Sequence, residues 1–407
     1  MDRQTTPASE NAGARASLLR RILISIDGFL RVETAGGVTL LIATAIALLW
    51  ANLSGHTYER FWEASLPADP FGLSLITTQP VRFWINDALM TVFFLVVGLE
   101  IRHEMRYGTL SDARIATLPV IAALAGVLVP AGIYLLLNPT PLTRAGWAIP
   151  TATDIAFAVG ILSLVGKGIP PVLRVLLLTL AIIDDIVAIV IIASAYSKSI
   201  QLSGLALAAG GALVVWLMQR LPFRRPAAYL APGALLWFGM LRSGIHPTLA
   251  GVVLGMMAPA TAASNHLLRR LHPWVAYLIM PLFALANAGV ELRGFSLHVT
   301  ASEAVEAGII FGLVLGKPLG IVLAATLALR SGICELPEGL QWRHLLLLGC
   351  LGGIGFTMSL FIANLAFPGS TLLAAAKGAV LLASATAAVV GLIAGKCIPG
   401  MRSASAA

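Results

Sequence analysis

The sequence predicts an all-α, polytopic membrane protein with about twelve transmembrane helices, and three observations lead to that prediction. Of its 407 residues, 58% are hydrophobic and 11% are charged, and the mean hydropathy is +0.89. Soluble globular domains carry about 25% charged residues. The apolar residues form repeated runs long enough to cross a bilayer, which takes ~20 residues of helix. A membrane β-barrel would show short alternating segments instead, and the sequence has none.

Polar and turn residues divide the apolar runs into twelve predicted spans. The runs between 227 and 259 are short and closely spaced, so their division is the most open. The predicted spans are 34–52, 81–104, 115–137, 145–165, 172–195, 202–219, 227–241, 244–259, 273–290, 307–329, 342–367 and 371–395.

The distribution of Lys and Arg tests this division, because cytoplasmic loops carry an excess of both. With the N-terminus inside, most basic residues fall in inside stretches. The outside loops hold Arg60, Arg144, Lys198, Arg242 and Arg293. We therefore predict a cytoplasmic tail at 1–32, one membrane domain at 33–396 and a second cytoplasmic tail at 397–407. The net charge of +8 then marks topology, so we expect membrane lipid and no nucleic acid as a partner.

The first outside loop, at about 53–80, is the longest. Its stretch 71–78 could form a small hairpin that serves an oligomer contact, or it could be a plain loop. We expect a homodimer.

Two adjacent carboxylates, Asp184 and Asp185, lie in the middle of the apolar run 172–195. Each Asp at the centre of a bilayer costs roughly 2.5–3.5 kcal/mol, so such a pair indicates a function. Neighbouring helical residues point about 100° apart, so one carboxylate can face a cavity and the other a partner helix. Two nearby carboxylates also bind protons more tightly than one alone. The pair predicts a cation site that exchanges protons, although acids that only hold helices together would leave the same pattern.

A helix break is predicted in the stretch 146–157. Pro150 removes a backbone donor, and Thr151, Thr153 and Asp154 follow it directly. Asp154 or Thr153 can cap the half-helix that continues through Leu164. Broken backbone at membrane depth persists only where it is buried or lines water, and it offers carbonyls and helix ends to ions. A proline kink with a satisfied cap is the plainer alternative.

A second break is predicted where four glycines occur within seven residues, at Gly349, Gly352, Gly353 and Gly355. Glycine-rich membrane segments also arise from close helix packing. Here, however, each break lies in the middle span of a three-span group, 115–195 or 307–395, and the two broken spans begin on opposite sides. This is the pattern of inverted repeats whose interrupted helices cross near the midplane.

Lys317 lies about ten residues into its predicted span, too deep to reach the membrane surface easily. We therefore expect Lys317 to pair with an intramembrane Asp. One Lys beside three Asp would neutralise part of the charge and leave room for a cation.

Four motifs in order resemble the NhaA family of bacterial Na⁺/H⁺ antiporters, and the likeness runs from about residue 28 to 395. The motifs lie at 152–158 (ATDIAFA), 181–185 (AIIDD), 316–320 (GKPLG) and 353–359 (GIGFTMS). This family is itself a known example of inverted repeats with discontinuous helices.

The resemblance implies a role for each residue of the site. Asp185 is expected to be the principal Na⁺ or Li⁺ ligand, and Asp184 to pair with Lys317 and change partner during exchange. Asp154 and Thr153 are expected to complete the surroundings where the broken helices cross. The family implies electrogenic Na⁺ export in exchange for H⁺, activation at alkaline pH and residence in the bacterial inner membrane. It implies a secondary transporter rather than an enzyme, with no cofactor.

The family's pH-responsive region corresponds here to the end of the second span, with Glu100, Arg102, His103 and Glu104. His103 replaces the family's usual second basic residue.

Two further histidines fall on family motifs. His272 is kept, whereas Leu268 and Arg269 replace an acid and a histidine, which bears on the pH set-point rather than on the transport chemistry. His246 could tune the pH response or make a helix-end hydrogen bond. Asp87, with Asn86, is predicted to cap the start of the second span.

An intramembrane aspartyl protease and a cation-coupled solute symporter are among the rival interpretations. An intramembrane aspartyl protease needs two Asp on separate helices, one of them in a Gly-x-Gly-Asp setting, and no such run occurs. A cation-coupled solute symporter of related fold stays open. A sodium gradient that drives solute uptake without proton flux would favour the symporter.

Overall fold

The computed structural model describes residues 7–65, 79–166, 168–197, 200–220, 226–259, 261–291 and 301–398, and these are largely helical. We number the helices in chain order. They are α1 (Pro7–Trp62), α2 (Val81–Tyr107), α3 (Ala113–Leu137), α4 (Pro141–Thr151), α5 (Ile155–Val165), α6 (Pro171–Ala195), α7 (Leu202–Arg220), α8 (Leu230–Ser243), α9 (Leu249–Met257), α10 (262–287), α11 (Ala301–Arg330), α12 (Trp342–Gly352), α13 (Phe356–Ala366) and α14 (Leu372–Cys397).

Seven of the described helices are long and apolar enough to cross a membrane, and two bent pairs raise the number to nine. The chain is therefore a multi-pass membrane protein, as predicted. The predicted spans 227–241 and 244–259 overlap α8 and α9. The predicted span 273–290 overlaps only the second part of α10, which begins already at residue 262. With 14 and 9 residues, α8 and α9 are short for a crossing helix. The number twelve stays a prediction.

The first predicted span also ends earlier than its helix. It was expected to end at residue 52, but the helix continues to Trp62 with a kink at Ser54, where φ is −152° and ψ is 67°. Beyond the predicted span, the Tyr58 and Trp62 rings pack against each other and against Trp50 within it. The predicted hairpin at 71–78 lies outside the described residues.

The helices pack as two groups. The repeat group comprises α3 to α6 and α11 to α14, the two predicted repeats, in which α3 packs on α11 and α14 packs on α11 and α12. The flanking group comprises α1, α2 and α7 to α10, in which α1 packs on α10, α2 on α9 and α7 on α8. The groups meet where α1 contacts α5 and α2 contacts α6.

Each repeat has a broken middle span, as the sequence predicted. The axes of α4 and α5 differ by 47°, and those of α12 and α13 differ by 42°. Residues 152–154 and 353–355 connect the halves without regular helix. The inverted relation between the repeats stays a prediction.

The contact between α2 and α9 depends on two glycines four residues apart. A Cβ at Gly251 would overlap the backbone of Thr91, and one at Gly255 would overlap the backbone of Leu95 and Leu99. Small residues at this spacing let helix backbones approach closely in membranes. This approach fixes α2, which carries Glu100, closely against α9.

Candidate functional site

The first break is held by its own side chains. Pro150 lies in a single 3₁₀ turn at Ile149–Thr151, after which the chain is extended at Ala152. Asp154 caps α5, because its Oδ1 accepts a hydrogen bond from the Phe157 N–H at 2.9 Å. The predicted cap by Asp154 is therefore confirmed.

The two breaks cross and bond to each other. The Asp154 N–H donates to the Ile354 carbonyl at 2.7 Å. In return, Asp154 Oδ2 accepts from the Thr357 N–H at 3.1 Å and from the Thr357 hydroxyl. Asp154 thus binds the starts of both α5 and α13, where the positive ends of helix dipoles favour an anion.

The second break needs glycine for a packing reason. A Cβ added at Gly353 would overlap the Leu313 carbonyl of α11. Gly352 offers its carbonyl to the Thr153 hydroxyl at 2.9 Å, and Gly355 precedes the first residue of α13. The glycine run therefore lets the break lie against α11, which carries Lys317.

Lys317 and Asp184 form a fully buried ion pair. Lys317 Nζ lies 2.6 Å from Asp184 Oδ2, and both side chains are 0% exposed. The predicted pairing of Lys317 with an intramembrane Asp is confirmed. A π-helical turn at Gly312–Gly316 immediately precedes Lys317 and Pro318. Proline disrupts regular helical bonding, and the wider turn accommodates it at the depth of the site.

Thr153 joins the ion pair to the second break. Its hydroxyl accepts from Lys317 Nζ and lies 2.5 Å from Asp184 Oδ2 and 2.9 Å from the Gly352 carbonyl. A threonine has one hydroxyl proton, so it can serve only one of these two oxygens at a time. Which of the two oxygens receives the Thr153 proton depends on whether the Asp184 carboxylate is ionised, protonated or bound to a cation.

Asp185 is placed differently from its neighbour. It is 2% exposed. The Oδ1 atoms of both acids are buried and accept no hydrogen bond from the protein, but only Asp184 is bonded through its Oδ2, to Lys317 and Thr153. Asp185 lines a cleft of about 480 Å³, part of it open to solvent, together with Thr153 and Asp154. The geometry shows the expected division. The Asp184 carboxylate faces Lys317 on a partner helix, α11, and Asp185 lines a cavity.

The cleft lies between the two helix groups. Asp154, Asp185 and Met358 line it from the repeat group. From the flanking group it is lined by Phe93, Val96, Val97, Glu100, His272, Val275, Ala276 and Met280. The site holds three buried carboxylates, at Asp154, Asp184 and Asp185, and one buried ammonium group, at Lys317, so it favours a cation.

A family model described as Na⁺/H⁺ antiporter 1 matches residues 27–394. The chain belongs to this family. It is 52% identical over 372 residues to the protein named Na(+)/H(+) antiporter NhaA of Acidovorax sp., with 88% of this chain and 89% of that one covered. It is 48% identical over 425 residues to the protein of that name from Cupriavidus necator, with 92% and 90% covered.

Another relative, from Janthinobacterium sp., carries the same name. It is 47% identical over 441 residues, with 96% of this chain and 97% of that one covered. The likeness extends over the site and both helix groups.

The residues predicted to take part in pH regulation lie in different parts of the structure. His272 Nδ1 lies 3.5 Å from Glu100 Oε1 at the edge of the cleft. Glu104 accepts from the backbone N–H and the hydroxyl of Thr109, at 2.9 and 3.1 Å, and so caps the turn after α2. Of these residues, only Glu100 and His272 line the cleft that contains Asp185.

Two other residues of that set face α9 and a neighbouring groove. Arg102 donates to the Met256 carbonyl, and the His103 ring lies 5.6 Å from the Tyr107 ring. Both line a smaller groove with Ser264 of α10.

The predicted cap at Asp87 is wrong. The helix begins at Val81, and Asp87 lies inside a π-helical turn at Trp84–Leu89, where its side chain caps no helix end. Asp87 Oδ1 lies 3.4 Å from His246 Nε2 instead, and His246 Nδ1 is 2.7 Å from the Thr248 hydroxyl. The helix-end hydrogen bond weighed for His246 is therefore present.

Sequence reasoning missed Thr357 and Ser359. Thr357 binds Asp154, and the Ser359 hydroxyl donates to the Ile149 carbonyl of the other break at 2.7 Å. Both belong to the quoted motif at 353–359, and hydroxyls directly after a glycine break were the available signal. Among the described residues, no group of three or more His, Cys, Asp or Glu side chains could hold a metal ion.

Proposed function

We propose that this protein is a Na⁺/H⁺ antiporter that exports Na⁺ or Li⁺ in exchange for H⁺ through the cleft at Asp185. Family membership supports the reaction, and it makes the protein a secondary transporter rather than an enzyme. The observation that carries the site is the buried, unpartnered Oδ1 of Asp185 in a cleft between the helix groups. A buried oxygen of this kind binds either a proton or a cation.

The mechanism is competition for one site. Na⁺ and H⁺ bind the same carboxylate, and the occupied site is exposed to one side of the membrane at a time. Two occupancy states and two access states suffice for obligatory exchange. The cation takes its other ligands from water and from nearby hydroxyl and carbonyl oxygens, because one carboxylate does not complete an oxygen cage.

The buried pair has a separate role in this proposal. Lys317 compensates Asp184 while Asp185 is ionised and loaded. When Asp185 takes up its proton, the charges near Lys317 change, and Asp184 changes partner. Thr153 can follow that change by turning its one proton between Asp184 and Gly352, which lie at 2.5 and 2.9 Å.

We propose further that the exchange is electrogenic and activated at alkaline pH. If more than one proton moves per Na⁺, membrane voltage drives the cycle at about 2.3 kcal/mol per charge per 100 mV. Measuring exchange under an imposed potassium diffusion potential tests this, because electroneutral exchange would not respond. The Glu100–His272 pair at the mouth of the cleft supports a pH-dependent response.

The proposed setting is a bacterial inner membrane, with 1–32 and 397–407 cytoplasmic and 33–396 as one membrane domain. The Glu100 end of α2 is then the cytoplasmic end. The protein is proposed to act as a homodimer in lipid. Cross-linking in native membranes tests the dimer, and impermeant labelling of the exposed Cys397 in vesicles of each orientation tests the terminus.

The function is tested in vesicles with an acidic interior. Added Na⁺ or Li⁺ should dissipate the pH gradient, whereas added K⁺ should not. A sodium gradient that drives solute uptake without proton flux would replace this proposal with the solute symporter.

A further inference from the structure

Three asparagines from three helices meet at the Asn86 end of α2. Asn287 of α10 donates to Asn86 Oδ1 at 2.7 Å and to the Phe283 carbonyl at 2.9 Å. Its own Oδ1 accepts from Asn86 at 3.3 Å and from Asn364 of α13 at 3.0 Å. Asn287 is 0% exposed, and its amide uses both donors and accepts twice, so no bonding capacity is left over.

The bond from Asn364 crosses between the two helix groups. Asn364 belongs to the repeat group, on the half-helix that begins at the second break. Asn86 and Asn287 both belong to the flanking group. The network therefore joins a helix of the ion site to the helices across the cleft.

A layer of rings lies one turn closer to the cleft. Phe361 of α13 has its ring 5.4 Å from that of Phe94, 6.2 Å from that of Phe283 and 5.3 Å from that of His246. The three phenylalanines are at most 2% exposed. Phe361 belongs to the repeat group, and the three residues whose rings it contacts belong to the flanking group.

Along α10 and α13, the cleft, the layer of rings and the layer of asparagines follow one another in that order. On α10, Met280 lines the cleft, Phe283 follows in the ring layer and Asn287 in the amide layer. On α13, Met358, Phe361 and Asn364 follow the same order. From Met280 to Asn287 the helix rises about 10 Å. The cleft extends toward Glu100 and His272, so these two layers separate it from the Asn86 end.

We infer that Asn364 and Phe361 position the repeat group against the flanking group. Their contacts with Asn287, Phe94 and Phe283 form a closure that must separate when the site opens toward the Asn86 end. This inference rests on the proposed exchange. It predicts motion between Asn364 and Asn287, whereas Asn86 and Asn287 stay together. The one hydrogen bond from Asn364 to Asn287 and the ring contacts of Phe361 are individually weak enough to break and re-form in each cycle.

The test compares two cysteine pairs in a chain whose Cys334, Cys350 and Cys397 are replaced by Ala. Asn287→Cys/Asn364→Cys spans the moving contact, and Asn86→Cys/Asn287→Cys is the matched control within the flanking group. Each pair is joined by a short bis-methanethiosulfonate reagent in vesicles. We expect the first link to lower Na⁺/H⁺ exchange at least tenfold, reversibly with dithiothreitol, and the second to change it less than twofold.

The proposed closure would be overturned if the link between positions 287 and 364 left Na⁺/H⁺ exchange undiminished, or if both links lowered exchange equally. If the chain that lacks only Cys334, Cys350 and Cys397 shows no Na⁺-dependent proton flux, the proposed function fails instead. A second readout then still applies, since Asn364→Ala should raise at least threefold the labelling of Met280→Cys by an impermeant maleimide from the Asn86 end. An unchanged labelling rate would contradict the closure.

Discussion

Lys317 Nζ lies 2.6 Å from Asp184 Oδ2 with both side chains 0% exposed, while the adjacent Asp185 lines the cleft between the helix groups. The two neighbouring carboxylates therefore have different roles. The ion pair compensates one charge inside the membrane, and the other carboxylate is left for an exchangeable ion. The predictions below follow from this division.

Breaking the ion pair should destabilise the protein. Lys317→Met leaves Asp184 as an uncompensated buried charge, and loss of one partner of a buried pair costs about 3–5 kcal/mol. Thermal unfolding in detergent should show a marked fall in the midpoint, and the double variant Lys317→Met/Asp184→Asn should recover part of it.

The matched control for this prediction is the partly exposed pair of Arg82 and Glu59, at 3.0 Å with Glu59 56% exposed. Glu59→Gln should cost at most about 1 kcal/mol, because such pairs contribute little. Equal losses for Lys317→Met and Glu59→Gln would contradict the assigned burial.

The crossing of the breaks depends on the Thr357 hydroxyl. Thr357→Val removes the hydroxyl donor to Asp154 Oδ2 and keeps the Thr357 N–H donor, and hydrogen bonds to charged groups contribute about 1.5–3 kcal/mol. We expect lower thermal stability and a raised KM for Na⁺. Thr357→Ser keeps the hydroxyl and should retain both properties, so a serine variant as impaired as the valine one would argue against the bond.

Na⁺ affinity should depend on pH with a defined sign. Because H⁺ competes with Na⁺ for one carboxylate, lowering the pH protonates the site and raises the apparent KM for Na⁺. For a single competing proton the rise approaches about tenfold per pH unit in the acid range. An apparent KM that is constant across pH 6 to 9, with only the maximal rate changing, would exclude direct competition.

The pH profile should also respond to His272. Histidine changes charge in the physiological range, and this one faces Glu100 at the mouth of the cleft, with Asp185 on the same cavity. His272→Gln should alter the acid limb of the activity profile and leave the alkaline plateau near its original height. His266 is exposed on the same helix, and His266→Gln should leave the whole profile unchanged.

The sequence was sufficient for the features that rest on local chemistry. Pro150 and the glycine run predicted both breaks because neither fits a regular helix. The depth of Lys317 predicted its pairing, because an isolated ammonium in a membrane is too costly.

Features that depend on the packing of distant helices could not be predicted. Asp87 looked like a cap because it follows polar residues near a span start, but α2 begins earlier and His246 approaches Asp87 from another part of the chain. Asn287 and Asn364 are 77 residues apart and carry no motif. Nothing in either local sequence indicates that their amides meet.

The most direct test of the account is sodium-induced dissipation of a pH gradient by Asp185→Asn in inside-acid vesicles. Glu338→Gln, at an exposed acid, serves as the charge-matched control. We predict no Na⁺- or Li⁺-dependent dissipation for Asp185→Asn and normal dissipation for Glu338→Gln at equal membrane content. Exchange by Asp185→Asn with an unchanged KM for Na⁺ would contradict the assignment of the ion site.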